Sequence, residues 1–348
     1  MKREFLMLAS KCEEEARIGG FYASEKLNGV LGYWDGGITR GLRVEDVPFA
    51  NVGKTGAGRV ATGLWSRYGK PYSAPEWFLD KLPPCPLAGE LYIGRGKFQE
   101  TLSAVRKYVP VDSEWQPVKL HAFDIPPHPA QWIPGRIHCR EWRVEWGEEI
   151  GKWVPQRIKK VPQIGGMSLE PYFHNVIKEL GQLSAFTSMV QVRQELLPVT
   201  TDAGARRARV MFEEVLSGGG EGLILRHPSS HWLPIRSKDY LKMKPKYEGE
   251  GTLVGVITGK ETNDGSRNLG KIGSLLVLWR GIVVGVGGLT DEERELPPEG
   301  REWAERHPDE ALPEHLMHQS KGTLIAFTYL ELSKDGVPKS ANISRGVE

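Results

Sequence analysis

Hydrophobic residues in the first two thirds of the chain fall into short blocks that glycine and proline interrupt. FYASEKL (21–27), VLGYW (30–34) and GITRGLRV (37–44) predict strands. PLAGELYIG (86–94) predicts a strand and its turn, VKLHAFDIP (118–126) a strand stopped by proline, and GLILR (222–226) a buried strand. A helical period replaces this pattern over 203–217, where Val210, Met211, Val215 and Leu216 recur on one face before a glycine triplet ends the helix. Further helical stretches are expected over 169–197. Residues 126–166, rich in Pro, Trp and basic side chains, predict an irregular excursion with a basic face made by Arg136, Arg140, Arg143, Arg157, Lys159 and Lys160. KPKYEGEG (244–251) reads as a polar junction, which divides the chain into domains 1–247 and 248–348. Beyond it, TLVGVITGK, GSLLVLW, GIVVGVGG and GTLIAFTYLEL have small-barrel spacing, with an acidic helix-like insert at 290–318. That pattern suits a five-stranded Greek-key barrel of the oligonucleotide-binding (OB-fold) type. The class expected for the whole is α+β.

Composition narrows the setting. The 348 residues are 39% hydrophobic and 26% charged, as in ordinary globular proteins. No apolar run reaches the roughly 18–20 residues that a membrane span needs, and the start of the chain is too short in apolar residues and too acidic for a secretory signal. A cytoplasmic protein is expected. Three scattered cysteines, Cys12, Cys85 and Cys139, form no CxxC pair and fit a reducing compartment. Net charge is only +2, but its distribution is uneven: residues 1–249 carry 35 basic against 28 acidic side chains, and 250–348 carry 11 against 16. The first part is the better candidate for holding phosphates.

Four short motifs could carry chemistry. Lys26-Leu27-Asn28-Gly29 offers a lysine followed by a glycine that lets the backbone turn tightly. Lysine attacks phosphorus only as the neutral amine, so such chemistry calls for burial or neighbouring cations. Leu87-Ala88-Gly89-Glu90-Leu91 places a carboxylate on a strand edge, where it can accept ribose hydroxyls. Glu221-Gly222, between a glycine-rich stop and a buried strand, offers an oxygen ligand of the kind Mg²⁺ prefers. Lys242-Met243-Lys244 alternates on a strand, so both lysines share a face that could hold a triphosphate. Each also has a bland reading as surface or strand-edge residues. Two lookalikes fail: Gly53-Lys54-Thr55 has Pro48 where a phosphate loop needs its first glycine, and His315 with His318 lack a third ligand.

The order of these motifs is more specific than any one of them. KxxG, GEL, FD, EGL, KxK and a barrel resemble the ATP-dependent DNA ligase branch of the covalent nucleotidyltransferases, particularly the small bacterial, viral and phage enzymes. SEKLNGVLGYWDG, TGLWSRYGKPYSAPEWF, AGELYIGRGKFQETLSAVR, HAFDIP, GGGEGLILRHPSSHW, RSKDYLKMKPK and GKIGSLLV carry the resemblance over residues 20–348, less clearly over 126–200. It implies an ATP-grasp-like nucleotidyltransferase domain followed by an OB-fold barrel, working on nicked duplex DNA with ATP and Mg²⁺. With no oligomer signal in the sequence, a monomer is the default expectation, and the lack of a long apolar run leads to the expectation of no membrane partner. Lys26 would become adenylylated, with Glu25, Asn28 and Gly29 around the nucleotide. Arg67 and Glu90 would contact ribose and phosphate, and Phe123 would stack on adenine. Glu221 would bind the metal, and Lys242 and Lys244 the phosphates. Arg345 would orient pyrophosphate. Phe98, Arg106 and Arg236 would meet the nucleic acid, joined by Arg140, Arg143, Lys159 and Lys160 of the basic excursion.

Two positions depart from the family pattern. Asn28 stands where the family carries aspartate, which keeps hydrogen bonding but loses a charge. Leu31 stands where it usually carries an arginine associated with the nick phosphates. An RNA-directed ligase and a weakly catalytic nick-binding protein are therefore the competing expectations.

Overall fold

Blocks separated by some two hundred residues of chain lie side by side in the first sheet. The structure, a computed structural model, describes residues 6–13, 17–47, 49–53, 57–126, 132–133, 136–139, 142–147, 152–157, 172–230, 232, 235–260, 267–318, 320–333 and 335–344. The first sheet contains β1 (Leu8–Lys11), β2 (Tyr22–Glu25), β12 (Glu195–Leu196), β13 (Leu223–Arg226) and β14 (Arg236–Met243), in the order β1-β14-β13-β2-β12. The second has the order β11-β6-β5-β3-β4, from β3 (Val30–Asp35), β4 (Leu64–Ser66), β5 (Pro86–Tyr92), β6 (Lys119–Asp124) and β11 (Met189–Gln191).

Strand alternation gives each sheet two different faces. On the second sheet, Leu91, Leu120 and Ala122 face a core with Ala104 and Val105 of helix Phe98–Arg106 and with Phe173, Val176 and Leu180 of helix Tyr172–Gly181. Leu31, Tyr33 and Trp65 join Leu6, Ile224, Trp232 and Tyr240 in a second cluster, which packs the two sheets together. The far side of the first sheet, through Ala23, Leu225 and Leu241, is covered by Ala208 and Met211 of helix Thr201–Ser217.

A division falls between residues 243 and 244. The second unit is built on β15 (Tyr247–Thr258), β16 (Ile272–Trp279), β17 (Ile282–Val286), β18 (Leu324–Tyr329) and β21 (Asn342–Ile343), ordered β17-β16-β15-β18-β21. The two edge strands approach at one parallel bridge between Gly287 and Asn342. There the Gly287 N–H donates to the Ala341 carbonyl at 2.9 Å and the Ile343 N–H to the Gly287 carbonyl at 3.0 Å. The core inside holds Leu253, Ile272, Val277, Trp279, Val284 and Phe327. Helix Pro298–Arg306 occupies the acidic insert, and a two-stranded ribbon, β19 (Glu331–Leu332) with β20 (Pro338–Lys339), precedes β21. Among the described residues, no helix is long and apolar enough to cross a membrane.

The pattern misled at three places. GITRGLRV is a turn, not a strand. The Asp35 carboxylate accepts the Ile38 N–H at 3.0 Å and the Thr39 hydroxyl, and Gly36, Gly37 and Gly41 all have positive φ. Among the described residues of 169–197, only Tyr172–Gly181 is helical; Met189–Gln191 and Glu195–Leu196 are short strands added to sheet edges. The described part of 126–166 is a regular antiparallel sheet, ordered β10-β9-β8-β7, from β7 (Trp132–Ile133), β8 (Arg136–Cys139), β9 (Trp142–Gly147) and β10 (Lys152–Arg157).

Candidate active site

Lys26 leaves the end of β2 where that strand meets the start of β13. Leu223 pairs with Glu25 in register, and the Lys26 N–H donates to the Gly222 carbonyl at 2.8 Å. The Lys26 Nζ lies 2.6 Å from Glu221 Oε2, and both side chains keep some solvent access, 22% and 16%. Gly222 makes this junction possible: its φ is +136°, and a Cβ there would run into the Met243 carbonyl of β14. Gly29 has a matching constraint, since a Cβ would strike the Leu91 carbonyl and lie 2.7 Å from the Glu90 Cγ. The spacing of lysine and glycine in KxxG thus has a local physical cause.

The second sheet contributes Glu90, which pairs in register with Leu31 of β3 on one side and His121 of β6 on the other. Burial pushes the Glu90 carboxyl up to about 8; Lys26 pulls it down, Glu221 pushes it up, and a backbone hydrogen bond with Gly29 and the charge of Arg67 pull it down. The folded protein therefore favours neutral Glu90 at pH 7. The sign follows directly: with the folded value above the unfolded one, this group's contribution to stability is complete below the ordinary carboxylate range and is lost as pH rises through about 8. Between pH 6 and 9 the melting temperature should fall more steeply for the native protein than for Glu90→Gln. Parallel curves for the two proteins would refute the assignment.

A third group was not foreseen from sequence. Arg95 donates from Nε and Nη2 to the two Glu25 oxygens at 2.9 and 2.8 Å, and from Nη1 to the Gly218 carbonyl at 2.9 Å. It therefore ties the strand end that delivers Lys26 to the glycine loop that delivers Glu221. The Glu25 carboxylate is engaged by this fork. Close by, Tyr92 meets His121 edge to face. Burial lowers the His121 value, opposed by the charge of Glu25. The only sequence sign of Arg95 was its place in GRGK, directly after the Glu90 strand.

The remaining expected residues are placed as follows. Lys242 pairs in register with Ile224 and shares the face of β14 that carries Tyr240 into the cluster between the sheets. Lys244 follows the end of that strand. Phe123 is half-buried two residues beyond His121 on β6, hence on the Glu90 face. Arg67, one residue past the Gly32–Ser66 pair, falls opposite Leu31; it is exposed and lies over the Tyr68 ring. Asn28 is exposed. Phe98 and Arg106 are the first and last residues of their helix. Arg236 opens β14 and donates to the Ala9 carbonyl at 2.6 Å. Arg143 belongs to β9, whereas Arg140, Lys159, Lys160 and Arg345 lie outside the described residues. No group of three or more His, Cys, Asp or Glu that could hold a metal occurs among the described residues. Mg²⁺ does not need one, because it keeps several waters and takes one or two protein carboxylates together with substrate phosphates. Glu221 fits that demand as a single carboxylate ligand.

This arrangement, a lysine paired with a carboxylate where two sheets meet, sits in a fold shared with DNA ligases of known structure. A structure from a study of DNA binding with a minimal scaffold by Lig E DNA ligases superposes with a TM-score of 0.62 at 22% identity, covering 98% of each chain. Pmar-Lig_PreS3 superposes at 0.60 with 20% identity, over 98% of this chain and 67% of that one. In sequence, the chain is similar to a DNA ligase of Haemophilus influenzae, with 32% identity over 243 residues, 70% of this chain and 65% of the relative. The match thus spans a little under two thirds of that relative's length. No protein-family model matches the chain.

Proposed function

We propose that the protein is an ATP-dependent ligase that seals nicks between a 5′-phosphate and a 3′-hydroxyl in duplex DNA. One observation carries the reading: the Lys26 Nζ stands 2.6 Å from Glu221, at the junction of two strands, with Glu90 on the facing sheet. The likeness to the Haemophilus influenzae DNA ligase and to the Lig E fold supports the same activity. Residues 1–247 would be the adenylyltransferase domain and 248–348 an OB-fold domain. The strand order of the second unit and its parallel Gly287–Asn342 bridge support the latter.

Lys26 first loses a proton to solvent, to which its side chain keeps access, and its Nζ attacks the α-phosphorus of ATP. A phosphorus–nitrogen bond forms and pyrophosphate leaves. An oxygen of the 5′-phosphate at the nick then attacks the same phosphorus, and the phosphorus–nitrogen bond breaks to return the Lys26 amine. The 3′-hydroxyl finally attacks the 5′-phosphorus and gives its proton to solvent, and AMP leaves as the phosphodiester forms. There is little for the protein to do beyond positioning and charge neutralisation. Lys242, Lys244 and Arg67 would neutralise the phosphates, Phe123 would stack on the base, and neutral Glu90 would hydrogen-bond the ribose. Mg²⁺ held by Glu221 would supply further neutralisation of phosphate charge. Arg345 would help hold the pyrophosphate, and Phe98 and Arg236 the nucleic acid.

Asn28 keeps an RNA-directed ligase in view, so the assay should use matched all-DNA, mixed and all-RNA nicks. The expected result is sealing of the DNA nick with ATP and Mg²⁺, and its complete loss in Lys26→Ala along with the labelled adenylyl-protein. Preference for the RNA nick would select the alternative. Absence of any adenylylated protein would refute the ligase reading altogether.

A further inference from the structure

Three arginines from three separate segments gather around Tyr72 and Ser73, beside the Glu90 strand. Arg59 precedes β4 and is anchored by its carbonyl, which accepts the Val44 N–H at 2.9 Å. Its guanidinium donates to the Ser73 Oγ at 2.8 Å and lies 4.7 Å from the centre of the Tyr108 ring. Arg106 ends the helix that begins at Phe98, two residues before Tyr108. Arg67 is carried by the turn after β4. Burial of its hydroxyl and the charge of Glu90 both push Tyr72 up, while Arg106 and Arg67 pull it down, which places both cations near this half-buried side chain. Tyr72 itself is fixed, its hydroxyl donating to the Leu31 carbonyl at 3.1 Å.

The surface is open. Tyr108 is 62% exposed and Val109 77%. Arg67 and Arg106 are exposed, as is Lys70 in the same turn as Arg67. Two carboxylates of the flanking segments have partners of their own: Glu45 lies 3.8 Å from Arg43 and accepts the Gly58 N–H at 3.3 Å, and Glu114 pairs with Lys107. Guanidinium groups held against aromatic rings are pre-oriented, and their planar N–H edges match phosphate oxygens. A patch of exposed aromatic and arginine side chains on a fixed backbone is suited to a strongly anionic, extended partner.

We propose that Arg59, Arg67 and Arg106, together with Tyr108, form a track that binds the phosphate backbone of one arm of a DNA duplex running away from Lys26. The track deepens the ligase reading and rests on it for the identity of the partner. Arg67 sits at the end nearest Glu90, while Arg59 and Tyr108 extend the contact beyond the reacting phosphates.

The test is binding of a fluorescent nicked DNA duplex to the full chain over a series of KCl concentrations, comparing native protein with Arg59→Ala/Arg106→Ala. Arg206→Ala/Arg209→Ala, at two exposed positions of helix Thr201–Ser217, is the charge-matched control. Losing two phosphate contacts should weaken binding at least tenfold at moderate salt and reduce the salt slope by about 1.8, at about 0.9 per contact. The control should change neither. An unchanged slope would overturn the proposal, as would a loss confined to an RNA duplex. Melting of each variant, followed in parallel, separates misfolding from lost contacts; if the double variant melts early, Arg59→Gln/Arg106→Gln replaces it in the same titration. Labelling of native protein with ATP is read separately. A native chain that binds DNA with the expected slope but takes no label would sink the ligase reading and leave the track standing.

Discussion

Gly222→Ala is expected to slow formation of the adenylyl-lysine by about 100-fold, because a displacement near 1 Å at a reacting centre costs about that much. The new methyl group would meet the Met243 carbonyl, and φ of +136° is outside the range an alanine adopts. Strain and overpacking together should also cost about 2–5 kcal/mol of stability. Relief requires β13 to move from β14, and that movement carries Glu221 and the Gly222 carbonyl away from Lys26. Gly219→Ala is the informative comparison. It too has positive φ, 78°, but no atom lies within 4 Å of its Cβ position, so only backbone strain of about 1 kcal/mol should appear. Thermal melting and transfer of label from ATP measure the two effects. Equal labelling rates for both variants would show that close packing at Gly222 does not hold the site.

Asp124→Ala is expected to be strongly destabilising. Arg226 and Asp124 form an ion pair at 2.5 Å with side chains 2% and 1% exposed. The guanidinium is also held by the Ser230 hydroxyl at 2.8 Å and lies 4.2 Å from the Phe173 ring centre and 5.3 Å from that of Tyr240. Removing one partner strands a buried charge, which costs about 3–5 kcal/mol. Removing both need not: Asp124→Leu/Arg226→Met replaces the pair with apolar side chains and should recover most of the loss. Denaturant unfolding distinguishes these cases. A loss under about 1 kcal/mol for Asp124→Ala would mean that water or a rearranged hydroxyl solvates Arg226.

The sequence showed the parts of the site whose backbone constraints are local. Gly29 and Gly222 each mark a place where main chain approaches main chain, and the reactive side chains Lys26 and Glu221 stand next to them. Arg95 could not be read in the same way, because its partner Glu25 is 70 residues away and its role exists only after β2 and β5 are aligned. Residues 37–44 deceived for a related reason. Their apolar side chains alternate, yet Ile38 and Leu42 are each 45% exposed, because the Asp35 carboxylate captures the chain in a turn. The four strands of 132–157 were hidden by a run of Trp and basic residues whose alternation becomes visible only in the pairing of Trp146 with Trp153 and His138 with Arg143. In the second unit the strands were legible because each turn carries its own glycine or polar break, as at Arg280-Gly281 between β16 and β17.

The order of the first sheet sets a timetable for synthesis. Lys26 leaves the ribosome before the strands that flank β2, which arrive with residues 195–196 and 223–226, and before β14, which lies between β1 and β13 and arrives with 236–243. Lys26 and Glu221 are 195 residues apart. A nascent chain therefore carries its nucleophile through those 195 residues of further synthesis without the carboxylate beside it or the glycine carbonyl that fixes its backbone. Long-range pairing of this kind is slow to form. Nucleotide capture thus becomes a late event in the life of each molecule, one that reports a finished first unit, and chains interrupted before residue 221 should be inert toward ATP however well their earlier segments have folded.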